Sequence, residues 1–319
     1  MKDLKSELRT SNRMALAEGT RKNLKIQWES FLLFCLFFNL AFLPASTSTL
    51  QLYAQFLSRS FKAVASIRNY LSGIRTVHLM SGFQLEDVNK YLINISLRGI
   101  ARLKKHTVRQ AEPITPELLY RMYFVLNMEN NDDVVFWCLF LFAFFLVARK
   151  SNLVPTTKGD IINNRCLFRR DVTKCDDNLV VVMNWSKVIQ FGERQLKTPL
   201  LRLPGSILCP VRAYEKMIKT IKASLDDPLF LFSNKKPVTY YYFQKKLRSV
   251  IESLGLDSSI YSSHSFRRGF ATFAFRQQVS ADEIQILGDW RSDVYKRYIS
   301  MSIQDKLNIV SNLKDNFYF

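Results

Sequence analysis

The chain is 319 residues long and carries 46 Lys+Arg against 27 Asp+Glu, a net charge of +19, yet 48% of its residues are hydrophobic, with 25 Phe, 13 Tyr and 4 Trp. That much aromatic mass excludes a disordered basic tail and can fill the core of one large domain or of two ordinary ones. The surplus charge must then lie on folded surface that prefers a polyanion, with nucleic acid the default partner and an anionic membrane surface the competitor.

The first third is the more basic part: residues 1–110 hold 17 Lys+Arg and 6 Asp+Glu. Its polar N-terminus has no apolar core, so no secretory signal is expected. A helix is predicted over about 20–43 and another over 47–59. Val64, Ile67, Leu71, Ile74 and His78 recur at three- and four-residue spacing and predict a helix over about 61–79. Arg68 and Arg75, seven apart, share another face of it. Val88, Tyr91, Leu92 and Ile95 predict a helix over 86–103 that ends in Arg102, Lys104 and Lys105. His78 reads as core or rim, and His106 as a linker residue. The polar stretch that follows, closed by Pro113, reads as the linker.

Beyond it, Thr115 is a plausible N-cap with Pro116 at the first helical position. The apolar runs 31–38 and 134–148 are too short to span a bilayer and read as buried helices; the second stops abruptly at Arg149 and Lys150. From about 160 to 204 the texture is β-branched and alternating, with turn signals between, which predicts a small antiparallel sheet. Helices follow after Pro210, over 240–255, from Ser265 and from Ala281. A C-terminal amphipathic segment then carries Ile303, Leu307, Val310 and Leu313. Cys35, Cys138, Cys166, Cys175 and Cys209 form no CxxC pair and read as reduced, intracellular packing residues.

No GxxxxGK[ST] or GxGxxG loop and no His/Cys cluster with metal-ligand spacing occurs, so neither a nucleotide cofactor nor a zinc site is expected, although carboxylates gathered in space could still bind Mg²⁺. What stands out is Ser263-His264-Ser265-Phe266-Arg267-Arg268. His264 and Arg267, three apart at a helix start, project on one face beside free backbone N–H groups, a reasonable phosphate site. Downstream come Leu287-Gly288-Asp289-Trp290 and then Tyr295-Lys296-Arg297-Tyr298.

Taken in order, these residues resemble the catalytic set of the tyrosine recombinases, the phage integrase family, over nearly the whole chain. The resemblance implies a catalytic set of Arg149, after a hydrophobic helix; Lys187, in a hairpin turn; His264 and Arg267, the His-x-x-Arg box; Trp290; and the nucleophile Tyr298. Lys197 and Lys174 are rivals to Lys187, and Tyr295 to Tyr298. Trp290 is 23 residues after Arg267 but only 8 before Tyr298, whereas Asp289 fits the second count. Trp290 is preferred, because an indole N–H can donate to a phosphate oxygen and an ionised Asp would repel it. The wording ARKSNL, HSFRRG and GDWRSDVYKRYI looks closest to recombinases of eukaryotic Crypton and DIRS mobile elements.

The implied fold is mainly α with a small antiparallel β-sheet. An all-helical, SAM-like core-binding domain would span 1–105, a linker 106–113, and a mixed α+β catalytic domain with a C-terminal helix 114–319. The implied partner is double-stranded DNA, gripped between the two domains as in a clamp. Arg68, Arg75, Arg102, Lys104, Lys105 and Arg268 would contact it, with a dimer on each site and a homotetramer on two. The implied activity is site-specific cutting and rejoining through a 3′-phosphotyrosine, without metal or nucleotide, in a nucleus. A domesticated, non-catalytic DNA-binding protein and a type IB topoisomerase are the alternatives.

Overall fold

The computed structural model describes residues 2–83, 87–106, 110–186, 189, 194–290 and, beyond these, 296, 299, 303, 305 and 307. The chain divides into two compact units, 1–108 and 109–319.

The first unit is helical: α1 (Lys2–Met14), α2 (Glu18–Phe37), α3 (Thr47–Ser60), α4 (Val64–Met80) and α5 (Asp87–Lys104). Helix α1 was not anticipated, and its Leu4 and Leu8 are exposed. Helix α2 stops at Phe37, not at 43, where Asn39 takes a left-handed conformation (φ 52°) that commonly ends helices. Its partner is α4, and α3 pairs with α5. Between them lie Phe31, Tyr53, Ile67, Ile74 and Leu97, all 2% exposed or less. The α2–α4 approach is close enough that a Cβ on Gly73 would lie 1.9 Å from Gln27 Oε1. His78 is fully buried in this core, its Nε2 accepting from the Ala45 N–H at 2.9 Å. Its Nδ1 lies 2.9 Å from the Ile74 carbonyl, which accepts only, so the ring is the neutral Nδ1–H tautomer.

The second unit is built around α7 (Asn131–Phe145), in which every residue from Val134 to Phe144 is buried. A helix that is apolar all round must be surrounded, and α7 packs against α10 (Pro210–Thr220) and α12 (Ser263–Arg276). Phe140 links it to Phe243 of α11 (Tyr240–Ser253) and Phe266 of α12, with ring centroids 5.9 and 5.5 Å apart. Helix α6 (Pro116–Val125) starts as the sequence predicts, with the Thr115 side chain accepting from the Leu118 N–H. Two short helices, α8 (Lys150–Leu153) and α9 (Lys158–Ile162), lead to the sheet, and α13 (Ala281–Leu287) follows α12.

The three-stranded antiparallel sheet has the order β1 (Val172–Cys175), β2 (Asn178–Met183), β3 (Leu196–Leu200). Strand β2 alternates, burying Leu179, Val181 and Met183. The β1–β2 hairpin closes on Asp176 and Asp177, with Asp176 at φ 50° as tight hairpin turns require. Pro199 is tolerated because β3 is an edge strand. The sheet begins later than 160, since α9 and a 3-10 turn at Arg169–Asp171 come first.

The boundary between the units falls inside the stretch expected as a linker, and the later part of that stretch lies along the second unit. The Glu112 N–H donates to Ile260 O at 2.8 Å, and the Ile114 N–H to Ser265 O at 2.9 Å. Among the described residues no helix is long and apolar enough to cross a membrane. All five cysteines are free, and only Cys175 is exposed.

Candidate active site

Three separate segments meet at the C-terminal end of α7. The first is the exit of α7 itself, where Val147 is held at φ 49°. A β-branched residue resists this conformation, which costs about 1–3 kcal/mol and persists only where the surroundings impose it. The strained turn points the Val147 carbonyl at Arg267, whose Nη1 donates to it. It also delivers Arg149 as the residue that opens α8, partly exposed.

The second segment is the start of α12. Ser262 caps it, its side chain accepting from the His264 N–H, and Gln244 of α11 clamps the turn by donating to Tyr261 O (3.1 Å) and accepting from the Ser263 N–H (3.3 Å). His264 faces outward, and Arg267, one turn further on, is 2% exposed. The third segment follows α13. Gly288 O accepts from Arg267 Nη2 at 3.0 Å, and the guanidinium lies over the Trp290 ring, 4.5 Å from its centroid.

Arg149, Asn152, Arg267 and Asp289 line one recess of about 10 Å³, closed on the sheet side by Met183, Ser186 and Leu196. Arg149, at the start of α8, and Arg267, on α12, thus border the same recess. Asp289, buried on the same recess, is paired with Arg194. The His264 imidazole is held below its ordinary pKa. Packing around the ring disfavours the charged form, and Arg267, Lys150 and Arg149 add positive potential.

Of the residues expected in the site, the structure brings Arg149, His264, Arg267 and Trp290 together. Lys187, its neighbourhood from 190 to 193, Tyr295 and Tyr298 lie outside the described residues. The chain flanking Lys187 is nevertheless anchored: Ser186 and Ile189 exchange both backbone hydrogen bonds at 3.1 Å, and Asn152 Nδ2 holds Trp185 O at 2.9 Å. The rivals Lys174 and Lys197 sit on β1 and β3, with exposed side chains. Arg268 corrects an expectation. It is 8% exposed and donates to Gln110 Oε1 at 2.7 Å, so it faces the 110–114 segment and not a surface open to DNA.

Sequence reasoning missed three contributors: Asn152, which ties α8 to the hairpin; Lys150, whose ammonium sits 3.5 Å over the Tyr240 ring and adds charge beside His264; and Arg194. The Arg149-Lys150 doublet after an apolar run was the one available signal. Among the described residues no group of His, Cys, Asp and Glu is arranged to hold a metal ion.

No protein-family model matches the chain. An integrase/recombinase XerD homolog from Selenomonas ruminantium is 24% identical over 279 residues, covering 83% of this chain and 76% of the relative. The XerH site-specific recombinase, solved in a post-cleavage complex with its palindromic difH substrate, is similar with a TM-score of 0.59 at 16% identity, covering 83% of this chain and 69% of that one. A lambda integrase dimer bound to a COC′ core site is similar with a TM-score of 0.59 at 14% identity, covering 93% and 94%. The Tn1549 transposon integrase in complex with circular intermediate DNA gives 0.55 at 12% identity, covering 85% and 86%. The chain thus has the fold of the tyrosine recombinases and integrases.

Proposed function

We propose that the protein is a site-specific recombinase that cuts and rejoins double-stranded DNA through a covalent 3′-phosphotyrosine. The observation that carries this reading is the convergence of Arg149 and Arg267 on one recess, with His264 within their electrostatic reach. Attack on a phosphodiester builds negative charge on the non-bridging oxygens, which two guanidiniums hold in fixed, charge-assisted hydrogen bonds. The Tyr298 hydroxyl oxygen bonds to phosphorus as the bond to the 5′ oxygen breaks. Neutral His264 takes the tyrosine proton, and Lys187 gives one to the leaving oxygen. Because the phosphotyrosine retains the free energy of the diester, a 5′ hydroxyl can reverse the step, and the chemistry requires neither ATP nor a metal.

DNA binding by the first unit is supported by its charge. Arg68, Arg75 and Lys90 rim a cavity of about 220 Å³ floored by Leu50, Leu71, Ile93 and Leu97, and Arg102 and Lys105 are exposed at the end of α5. Such contacts position a duplex without reading its sequence. Assembly as a dimer on each site and a tetramer on two is supported by the exposed Ile303 and Leu307, beside Asp305 anchored on Arg276 at 3.0 Å. The wording HSFRRG and GDWRSDVYKRYI supports a role in moving a eukaryotic element of the Crypton or DIRS kind, in a nucleus.

The test uses nicked suicide duplexes tiled across the DNA that flanks the coding sequence. A covalent protein–DNA adduct is expected with one of them, lost in Arg149→Ala and in Tyr298→Phe. Specific binding to a duplex with no adduct would favour a non-catalytic DNA-binding protein. Relaxation of supercoils without exchange between two sites would favour a topoisomerase.

A further inference from the structure

The geometry points to Trp290 as a positioning residue that holds Arg267 by the face of its ring, not as an N–H donor to the phosphate. This rests on the cleavage reading above and changes how its site is built. Trp290 is 5% exposed and packs with Val147, Ala271, Ala274 and Ile284 in a small core of its own. Its backbone is clamped at both ends by one residue of α13: its N–H donates to Gln285 O at 3.1 Å, and its carbonyl accepts from Gln285 Nε2 at 2.9 Å.

Above the ring lies the Arg267 guanidinium, 4.5 Å from the centroid, with one nitrogen on Val147 O and another on Gly288 O. Two carbonyls fix the edge of the guanidinium plane, and the aromatic face fixes its tilt. Gly288 makes the shelf possible, since a Cβ there would lie 1.9 Å from the indole ring. Gly288 thus serves the arginine twice, through its carbonyl and through its missing side chain.

The two roles predict opposite orders of replacement. A donor is mimicked by His, which keeps an N–H; a shelf is mimicked by Phe, which keeps an apolar aromatic face without one. The rate of adduct formation on the trapping duplex is measured for Trp290→Ala, Trp290→Phe, Trp290→His and Gly288→Ala, with each variant's unfolding midpoint recorded. Trp290→Ala should slow trapping about 100-fold, Trp290→Phe should recover most of that loss, and Trp290→His should recover little. Gly288→Ala, which keeps the indole N–H but displaces the ring, should be slow like Trp290→Ala. Trapping by Trp290→His as fast as by Trp290→Phe, or by Gly288→Ala at the wild-type rate, overturns the shelf role. Should Gly288→Ala fail to fold, the Phe and His pair alone decides. No adduct with wild type on any duplex overturns the cleavage reading, and the shelf role with it.

Discussion

At the residue scale, His264 gives a pH dependence with a definite sign. Its pKa in the folded chain lies below the ordinary 6.5 because of packing around the ring and then the charges of Arg267, Lys150 and Arg149. Between the folded value and 6.5 the unfolded chain binds the proton more strongly, so folding stability rises with pH across that window and is unaffected above it. If cleavage needs the neutral ring, its acid limb should lie below pH 6.5. Lys150→Met, which removes a positive neighbour, should move that limb to higher pH in a pH–rate profile. Arg268 carries a second prediction at this scale. Being buried on Gln110, Arg268→Gln should leave the salt slope of DNA binding unchanged while lowering stability by about 1–3 kcal/mol in denaturant titrations. The motif made Arg149, His264 and Arg267 legible in the sequence. The burial of Arg268 and the carbonyl partners of Arg267 were not, because the first depends on Gln110 and the second on the exit of α7 and the turn after α13, each more than a hundred residues from part of what it meets.

At the element scale, the approach of α12 to the 110–114 segment is tight at one position. A Cβ on Gly269 would lie 1.8 Å from the Ile114 carbonyl oxygen, and backbone cannot swing aside as a side chain can. Gly269→Ala should therefore break the hydrogen bond from Ile114 to Ser265 and cost about 1–3 kcal/mol. Gly99→Ala is the contrasting case: in helix α5, with nothing within 4 Å, it should stabilise the protein by about 0.5–1 kcal/mol. Thermal unfolding of the two variants reads both signs. The buried helix α7 and the alternation of β2 were legible because burial imposes a pattern on composition. Helix α1 was not, since its described side chains lie exposed, and neither was the end of α2, where one left-handed asparagine outweighs the apolar residues from Leu40 to Leu43 that could have continued the helix. The docked 110–114 segment also escaped notice. Charged residues and Pro113 read as a linker, while the attachment runs through backbone N–H groups that any sequence possesses.

For the whole molecule, the net charge of +19 separates into two kinds of cation. Arg68, Arg75, Arg102 and Lys105 lie exposed on the helical unit and suit phosphate binding, whereas Arg149 and Arg267 line the recess. Replacing Arg68 and Arg75 together with Gln should weaken DNA binding and flatten the plot of log K against log salt by about 0.9 for each phosphate that is no longer neutralised. Arg149→Ala should leave binding within a few-fold and stop cleavage. The composition pointed to a polyanion as partner, and the resemblance carried by the order and spacing of a few polar residues is what the proposed reaction starts from. How Trp290, Gly288 and the strained Val147 support one arginine could be read only from their packing. The most direct measurement is to isolate the covalent adduct from a trapping duplex, digest it with trypsin and nuclease, and locate the phosphate by mass spectrometry. The phosphate is predicted on the tyrosine at position 298. Its presence on Tyr295 or on a serine, or an adduct of undiminished yield from Tyr298→Phe, would contradict the mechanism.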